Sequence, residues 1–208
     1  MLVLQGSSGL LLILFQQKHT GSLYRLIETS RHHLEPWLPW IGKIRSPQDV
    51  EQYITRSLLA YSAGRQVHFG IWHNSLLAGS VTVERLDFDH RSAELGYWLG
   101  TPHTGNGWMV HSVSRVIQYL FDDQQLNRVE IRCETGNTAS AQVARRIGFQ
   151  WEGTMRQAVR KGGGFADIHI FGLLRSQWNP ARLNQKQSTG PQKRLTAPFI
   201  HGRRDSPV

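Results

Sequence analysis

The chain has little of what would place it quickly. One cysteine, Cys133, in 208 residues excludes an internal disulfide framework and fits a reducing compartment. The longest apolar run near the N-terminus, residues 10–15, is six residues. That is far short of the ~20 a membrane helix needs, and no basic residue precedes it to make a secretory signal. A cytoplasmic protein without membrane contact is expected. Ten histidines include no pair at helical or hairpin ligand spacing beside an acid, so no metal is expected. Repeats of solenoid period are absent. Acidic residues are scarce, 15 Asp and Glu against 24 Lys and Arg, for a net charge of +9. Six of those basic residues and one Asp fall in residues 179–208, a stretch rich in Gln and Pro and short of apolar groups. The composition predicts one folded domain over 1–178 and a basic, disordered tail over 179–208. Nucleic acid is expected only at that tail, through charge.

Apolar periodicity organises what precedes the tail. Residues 10–17 predict a strand, and 20–34 a helix with Leu23, Leu26, Ile27 and Leu34 on one side. The segment Glu35-Pro36-Trp37-Leu38-Pro39-Trp40-Ile41 breaks that helix, because proline lacks a donor and restricts the residue before it. Trp37 and Trp40 form a stiff apolar wall that either plugs the core edge or lines a pocket. Ser46-Pro47-Gln48-Asp49 supplies an N-cap hydroxyl, proline at the first helical position and an acid at the third, starting a helix with Val50, Tyr53, Ile54, Leu58 and Tyr61. Val67, Phe69 and Ile71, then Leu77, Gly79, Val81 and Val83, alternate on either side of Asn74-Ser75 as a hairpin. Residues 93–99 complete an antiparallel run of three. Met109, Val113, Val116, Ile117 and Leu120 recur at helical spacing. Val129, Ile131 and Cys133 predict a strand parallel to the one bearing Glu94, since a helix separates them. Cys133 in that setting reads as an inert buried thiol. Asn137 caps a short helix that Gly148 closes, and residues 150–159 and 165–174 form two last strands around the pliant loop Lys161-Gly162-Gly163-Gly164.

Residues 93–149 are the stretch that carries chemistry. A strand runs through the turn Gly105-Asn106-Gly107 straight into a helix. First-turn N–H groups have no intrahelical acceptor and the helix dipole favours negative charge there, so a phosphate is the expected guest. A dinucleotide fingerprint needs glycine where Val110 stands, and a nucleotide P-loop needs Lys then Ser or Thr after its last glycine. Both are missing. A pyrophosphate cradle of the acetyl-coenzyme A type remains.

Four spaced blocks carry a resemblance across roughly residues 10–178: Glu94-Leu95-Gly96-Tyr97-Trp98-Leu99, His103-Thr104-Gly105-Asn106-Gly107-Trp108-Met109, Asn137-Thr138-Ala139-Ser140-Ala141-Gln142-Val143-Ala144, and Gly148-Phe149 with Glu152-Gly153. Together they resemble the GNAT N-acetyltransferases, and within them the branch that acetylates N-terminal amines of ribosomal proteins. The resemblance implies an α/β fold whose mixed, twisted sheet is splayed between its central parallel strands and flanked by helices. It implies acetyl-CoA as co-substrate, with pantetheine on backbone groups near Trp98 and Leu99 and on Asn137. The pyrophosphate would sit on Thr104, Gly105, Asn106, Gly107, Trp108 and Met109. A bulge at Gly96 would suit the splay. Glu94 is the implied general base, Ser140 the donor to the leaving sulfur, and Trp37 and Trp40 the acceptor wall. Each has a structural alternative: Glu94 pairing with arginine, Ser140 satisfying first-turn donors. Thr104 and Asn106 depart from the family, which often has Gln or Arg at the first position and Lys or Gln at the second. Both changes shorten side-chain reach and leave the backbone amides in place. The implied reaction is direct acetyl transfer to a primary amine, with a protein N-terminus, ribosomal in the leading case, as acceptor partner; a homodimer is compatible. A small-molecule amine acetyltransferase and a non-catalytic CoA- or protein-binding module are the alternatives.

Overall fold

The computed structural model describes residues 2–180. The expected tail, 179–208, lies outside them apart from Asn179 and Pro180. The elements run β1 (Val3–Gln5), β2 (Leu10–Leu14), α1 (Thr20–Leu34), α2 (Pro47–Ser62), β3 (Val67–His73), β4 (Leu76–Asp87), β5 (Ser92–Leu99), α3 (Trp108–Gln118), β6 (Arg128–Glu134), α4 (Thr138–Ile147), β7 (Gln150–Lys161) and β8 (Gly164–Leu174). All eight strands form one sheet in the order β1-β2-β3-β4-β5-β6-β8-β7. Only β5 and β6 pair parallel.

Local chemistry accounts for most boundaries. At α2 the Ser46 hydroxyl accepts from Asp49 N–H at 3.3 Å, and the Asp49 carboxylate accepts from Ser46 N–H at 2.8 Å and Arg45 N–H at 2.9 Å. These bonds satisfy orphan donors at the helix start and hold the Asp49 carboxyl below its ordinary pKa. Asn74 and Ser75 both have positive φ, 48° and 64°, as a two-residue hairpin turn requires. The same geometry recurs at Gly162 and Gly163, φ 55° and 82°, between the paired Lys161 and Gly164. The expected pliant loop is therefore a tight turn, because two glycines adopt left-handed backbone without a Cβ penalty.

Two cores sandwich the sheet. One joins Leu95, Val129 and Ile131 to Val113, Val116 and Ile117 of α3 and Ala144 and Ile147 of α4. The other gathers Leu23, Leu26 and Ile27 of α1 with Val50 and Ile54 of α2 around Phe15 and Trp98. Each buried Leu, Ile or Phe contributes roughly 1.5–3 kcal/mol. Alternation along β5 thus sends Ala93, Leu95 and Tyr97 to the α3–α4 side and Glu94, Gly96 and Trp98 to the α1–α2 side.

Between the two cores the sheet opens. β5 and β6 pair over four positions only, from Ser92 with Arg128 to Leu95 with Ile131. Beyond them Gly96 to Leu99 stay paired with β4, and Arg132 to Glu134 with β8. The bulge expected at Gly96 is not there: Gly96 stands in register with Thr82, and the irregularity lies in β4 between Glu84 and Asp87, where Arg85 has φ 45°. Gly96 is small for another reason. A Cβ there would stand 3.1 Å from Glu84 Oε1.

A half-buried polar link ties α2 to the sheet. The Tyr53 hydroxyl donates to His68 Nδ1 at 2.9 Å, and His68 Nε2 donates to Gln66 Oε1 at 3.3 Å. A neutral ring in one tautomer satisfies both bonds, and burial pushes the His68 pKa down to about 4. Since the folded value lies below the unfolded one, this group favours folding fully above pH 6.5 and loses that contribution as pH falls towards 4. Stability should drop by roughly 3 kcal/mol across that window. Denaturant titrations of wild type and His68→Gln at pH 7.5 and 4.5 check it, the variant losing less on acidification.

Candidate active site

The parted strands leave an unusual edge inside the sheet. Gly100 N–H donates to Ala78 C=O on β4 at 2.9 Å, and main-chain direction alternates along a strand. The backbone groups of Tyr97 and Leu99 therefore face the gap. Those of Trp98 face β4, where a Cβ on Gly79 would collide with the Trp98 carbonyl oxygen. Of the two residues expected to meet pantetheine, Leu99 presents its main chain and Trp98 does not. Trp98 instead packs its indole among the α1–α2 residues.

Past the gap the chain makes the expected glycine turn. Gly105 has φ 83° and Gly107, the N-cap of α3, φ 73°. Space around Gly105 is open, with nothing within 4 Å of a Cβ there. His111 N–H is bonded to Gly107 C=O at 3.3 Å. The N–H groups of residues 105–109 thus crown a helix start, where backbone donors lack intrahelical acceptors. Thr104 adds little, since its hydroxyl donates to Thr101 C=O at 3.0 Å. Asn106 is exposed. Trp108 stacks on His103 at 5.6 Å and packs at a tilt against His73 at 4.5 Å, and Met109 is buried in the core, so both face the turn through their amides.

On the α3–α4 side of the gap lie Ser140, Tyr97 and Cys133. Asn137 Oδ1 accepts from Ser140 N–H at 3.0 Å, the N-cap of α4. The Ser140 hydroxyl donates to Tyr97 Oη at 3.1 Å, and Tyr97 Oη donates to Ser140 C=O at 3.1 Å. Burial raises the pKa of Tyr97 and of Cys133, keeping both protonated. Such a thiol is a poor nucleophile.

The α1–α2 side holds carboxylates. Glu84, Glu94 and Glu130 stand abreast on β4, β5 and β6. Arg85 and Arg132 each lie 3.4 Å from Glu94 Oε2, yet that buried oxygen has no hydrogen-bond partner among the described residues. Glu84 reaches over Gly96, the first residue past the last β5–β6 pair, and burial followed by repulsion from Glu94 raises its pKa. The two tryptophans separate: Trp40 stacks on Tyr53 at 4.9 Å with planes 8° apart, whereas Trp37 stands beside Gly136, just before α4.

An anion cradle, a backbone edge and a carboxylate group on opposite sides of one gap are the parts of an acyl-transfer site. Residues 10–150 match the family model of the GNAT acetyltransferase domain. The chain belongs to that family. This GNAT enzyme is an acetyl-CoA-dependent N-acetyltransferase, and the turn and gap have the openness and the free donors to hold its co-substrate. It is similar to the ribosomal-protein-serine acetyltransferase of Escherichia coli strain K12, 28% identical over 76% of this chain and 88% of the relative. It is 30% identical to YdaF of Bacillus subtilis strain 168 over 79% of this chain and 91% of that protein. Its fold matches the structure of RimL, a ribosomal L7/L12 α-N-protein acetyltransferase in complex with coenzyme A, with a TM-score of 0.81, 24% identity, and coverage of 85% of this chain and 99% of RimL.

Sequence patterns missed Glu84 and Tyr97. Tyr97 lay inside a quoted block, and its parity on β5 was the available signal. Nothing local marks Glu84, whose importance comes from its register with Glu94. The described residues include no group of three or more His, Cys, Asp or Glu placed to hold a metal, and no helix long and apolar enough to cross a membrane.

Asn106 offers a clean test of the cradle, being exposed and outside the left-handed backbone region of its glycine neighbours. Asn106→Glu should weaken acetyl-CoA binding about tenfold or more without moving the unfolding midpoint, and Asn106→Lys should tighten it. Calorimetric titration with acetyl-CoA at two salt concentrations checks both.

Proposed function

We propose that this enzyme acetylates the N-terminal amine of a protein, a ribosomal protein being the leading class, by direct transfer from acetyl-CoA. The observation that carries this reading is the Glu84–Glu94 carboxylate pair beside the gap, on the opposite face of the sheet from Ser140 and Tyr97. The name of the Escherichia coli relative supports the ribosomal class.

The acceptor enters as an ammonium and must lose a proton before it attacks. The Glu84–Glu94 pair is the proton acceptor in this proposal. Within the pair the environments differ: two guanidiniums lie beside Glu94, while burial, then repulsion from Glu94, raises the pKa of Glu84 and suits it to accept a proton. Leu99 N–H would donate to the thioester carbonyl in this reading. On the other side the Ser140 hydroxyl, turned away from Tyr97 Oη, would supply a hydrogen bond to the departing sulfur. Cys133 takes no part, which makes the transfer direct rather than two-step.

An α-ammonium has pKa about 8 against about 10.4 for lysine, so a carboxylate base suffices for it at neutral pH. Short peptides with free and with blocked N-termini, each carrying an internal lysine, should differ sharply in thiol release, the free forms reacting faster than spermidine or an aminoglycoside. Equal rates for free and blocked peptides would defeat the N-terminal assignment. A protein that bound acetyl-CoA and released no thiol with any amine would be a binding module.

The carboxylate pair separates by pH profile. Activity should rise as pH climbs through the raised pKa of Glu84. Glu84→Gln should lower kcat/KM by ~10²-fold with acetyl-CoA affinity unchanged. Glu94→Gln removes the anion that raises Glu84, so the acid limb of kcat/KM should move to lower pH. An unmoved limb in Glu94→Gln would assign the proton elsewhere.

A further inference from the structure

The tip of the β7–β8 hairpin meets the end of β6. Lys161, the last residue of β7, donates from Nζ to Glu134 Oε2 at 2.6 Å, and the same ammonium lies 4.3 Å from the centre of the Trp37 ring. Glu134 ends β6, three residues past Ile131, where pairing with β5 stops. Trp37 comes from the α1–α2 connection and stands 3.8 Å from the Cβ position of Gly136, which leads into α4. Three segments distant in sequence therefore meet at one ammonium. A carboxylate on one side and an indole face on the other form an arrangement that selects a compact cation.

The two members of the pair are held unequally. The Glu134 side chain is 17% exposed and rooted in the middle of the sheet, whereas that of Lys161 is 37% exposed at the end of a long stem. Behind Lys161 the turn contains only Gly162 and Gly163. Glu134 neighbours Cys133 in sequence and points to the opposite face of β6, so its carboxylate stands across the sheet from the Cys133–Ser140 side. An acceptor amine approaching the gap from the α1–α2 side would meet Trp37 and Glu134. The space is already filled by an amine of this chain.

We propose that Trp37 and Glu134 form an entry seat, where the acceptor's ammonium group docks before it moves on to lose its proton, and that Lys161 fills this seat until an acceptor displaces it. The inference rests on the acetyl-transfer reading for the identity of the guest. The exchange swaps one ammonium for another on the same carboxylate and indole, so neither is left unpaired and the swap is close to balanced. The device keeps the Glu134 carboxylate neutralised in the free enzyme and makes every acceptor compete with a tethered cation. It favours guests with further contacts, as a peptide has, over small amines that offer a charge alone.

The test measures binding apart from turnover. A short peptide with a free N-terminus, and the same peptide N-acetylated, are titrated calorimetrically into CoA-saturated enzyme. Lys161→Met, which keeps the stem and removes the charge, should bind the free peptide about three- to tenfold more tightly and the acetylated form unchanged. Lys161→Arg keeps a competing cation and should stay within about twofold of wild type. Glu134→Gln in the Lys161→Met background should erase the preference for the free amine, and Trp37→Leu should reduce it. Weaker or unchanged binding of the free peptide by Lys161→Met, or an intact preference in Glu134→Gln, would overturn the seat. Thiol release from acetyl-CoA in the same samples reports separately on the activity. The expected binding pattern without thiol release would remove the transfer reading and leave the ammonium seat standing.

Discussion

The structure depends on a separation: β5 and β6 pair for four residues and then part. Backbone N–H and C=O groups inside a sheet are normally satisfied by the neighbouring strand, and leaving them without a partner away from water is costly. Here both strands keep their outer partners, β4 and β8, so each remains a strand while its inner edge is free. The two cores hold the parted strands from either face, with α3 and α4 on one side and α1 and α2 on the other. A rigid opening with unmet backbone donors suits an extended, amide-bearing ligand, because the ligand supplies the pairing the sheet withholds.

Chemistry divides along that opening. The molecule carries excess positive charge, yet Glu84, Glu94 and Glu130 stand abreast on the α1–α2 side, while the glycine turn at the start of α3 offers N–H groups and no acid. Donors suited to an anion and acceptors suited to a cation thus stand at separate places. The arginines beside Glu94 and Glu130 belong to the same arrangement, since three carboxylates abreast on adjacent strands would otherwise repel one another.

Elements whose signals are local were legible in the sequence. Thr20–Leu34 and the start of α2 at Pro47 follow from apolar spacing and the Ser46-Pro47-Asp49 cap, and the Asn74-Ser75 turn sits where expected. The Gly105-Asn106-Gly107 turn is also local, and it was found. What depends on register was not. β1 is three residues long and has no periodicity to detect. The irregularity sits at Arg85 rather than at Gly96, because glycine marks close approach as readily as a bulge, and the group approaching is the Glu84 carboxylate on the next strand. Trp98 and Leu99 are neighbours in sequence, but strand parity turns one main chain to β4 and the other to the gap. Trp37 and Trp40 read as one wall, and tertiary packing divides them between the gap and Tyr53.

Lys161 shows how far a local reading goes. Beside three glycines it reads as a solvated charge on a pliant loop, and in isolation it would be one. The two-residue turn at Gly162 and Gly163 instead carries strand pairing to the hairpin tip, which brings the ammonium to Glu134 of β6, a strand with which β7 does not pair. A surface ion pair of this kind contributes roughly 0–1 kcal/mol, too little to explain the hairpin's reach on grounds of stability. Its cost to an arriving amine is of similar size, which is the scale needed to discriminate among acceptors without excluding the right one. A weak contact is therefore better suited to setting a threshold for entry than to holding the fold together.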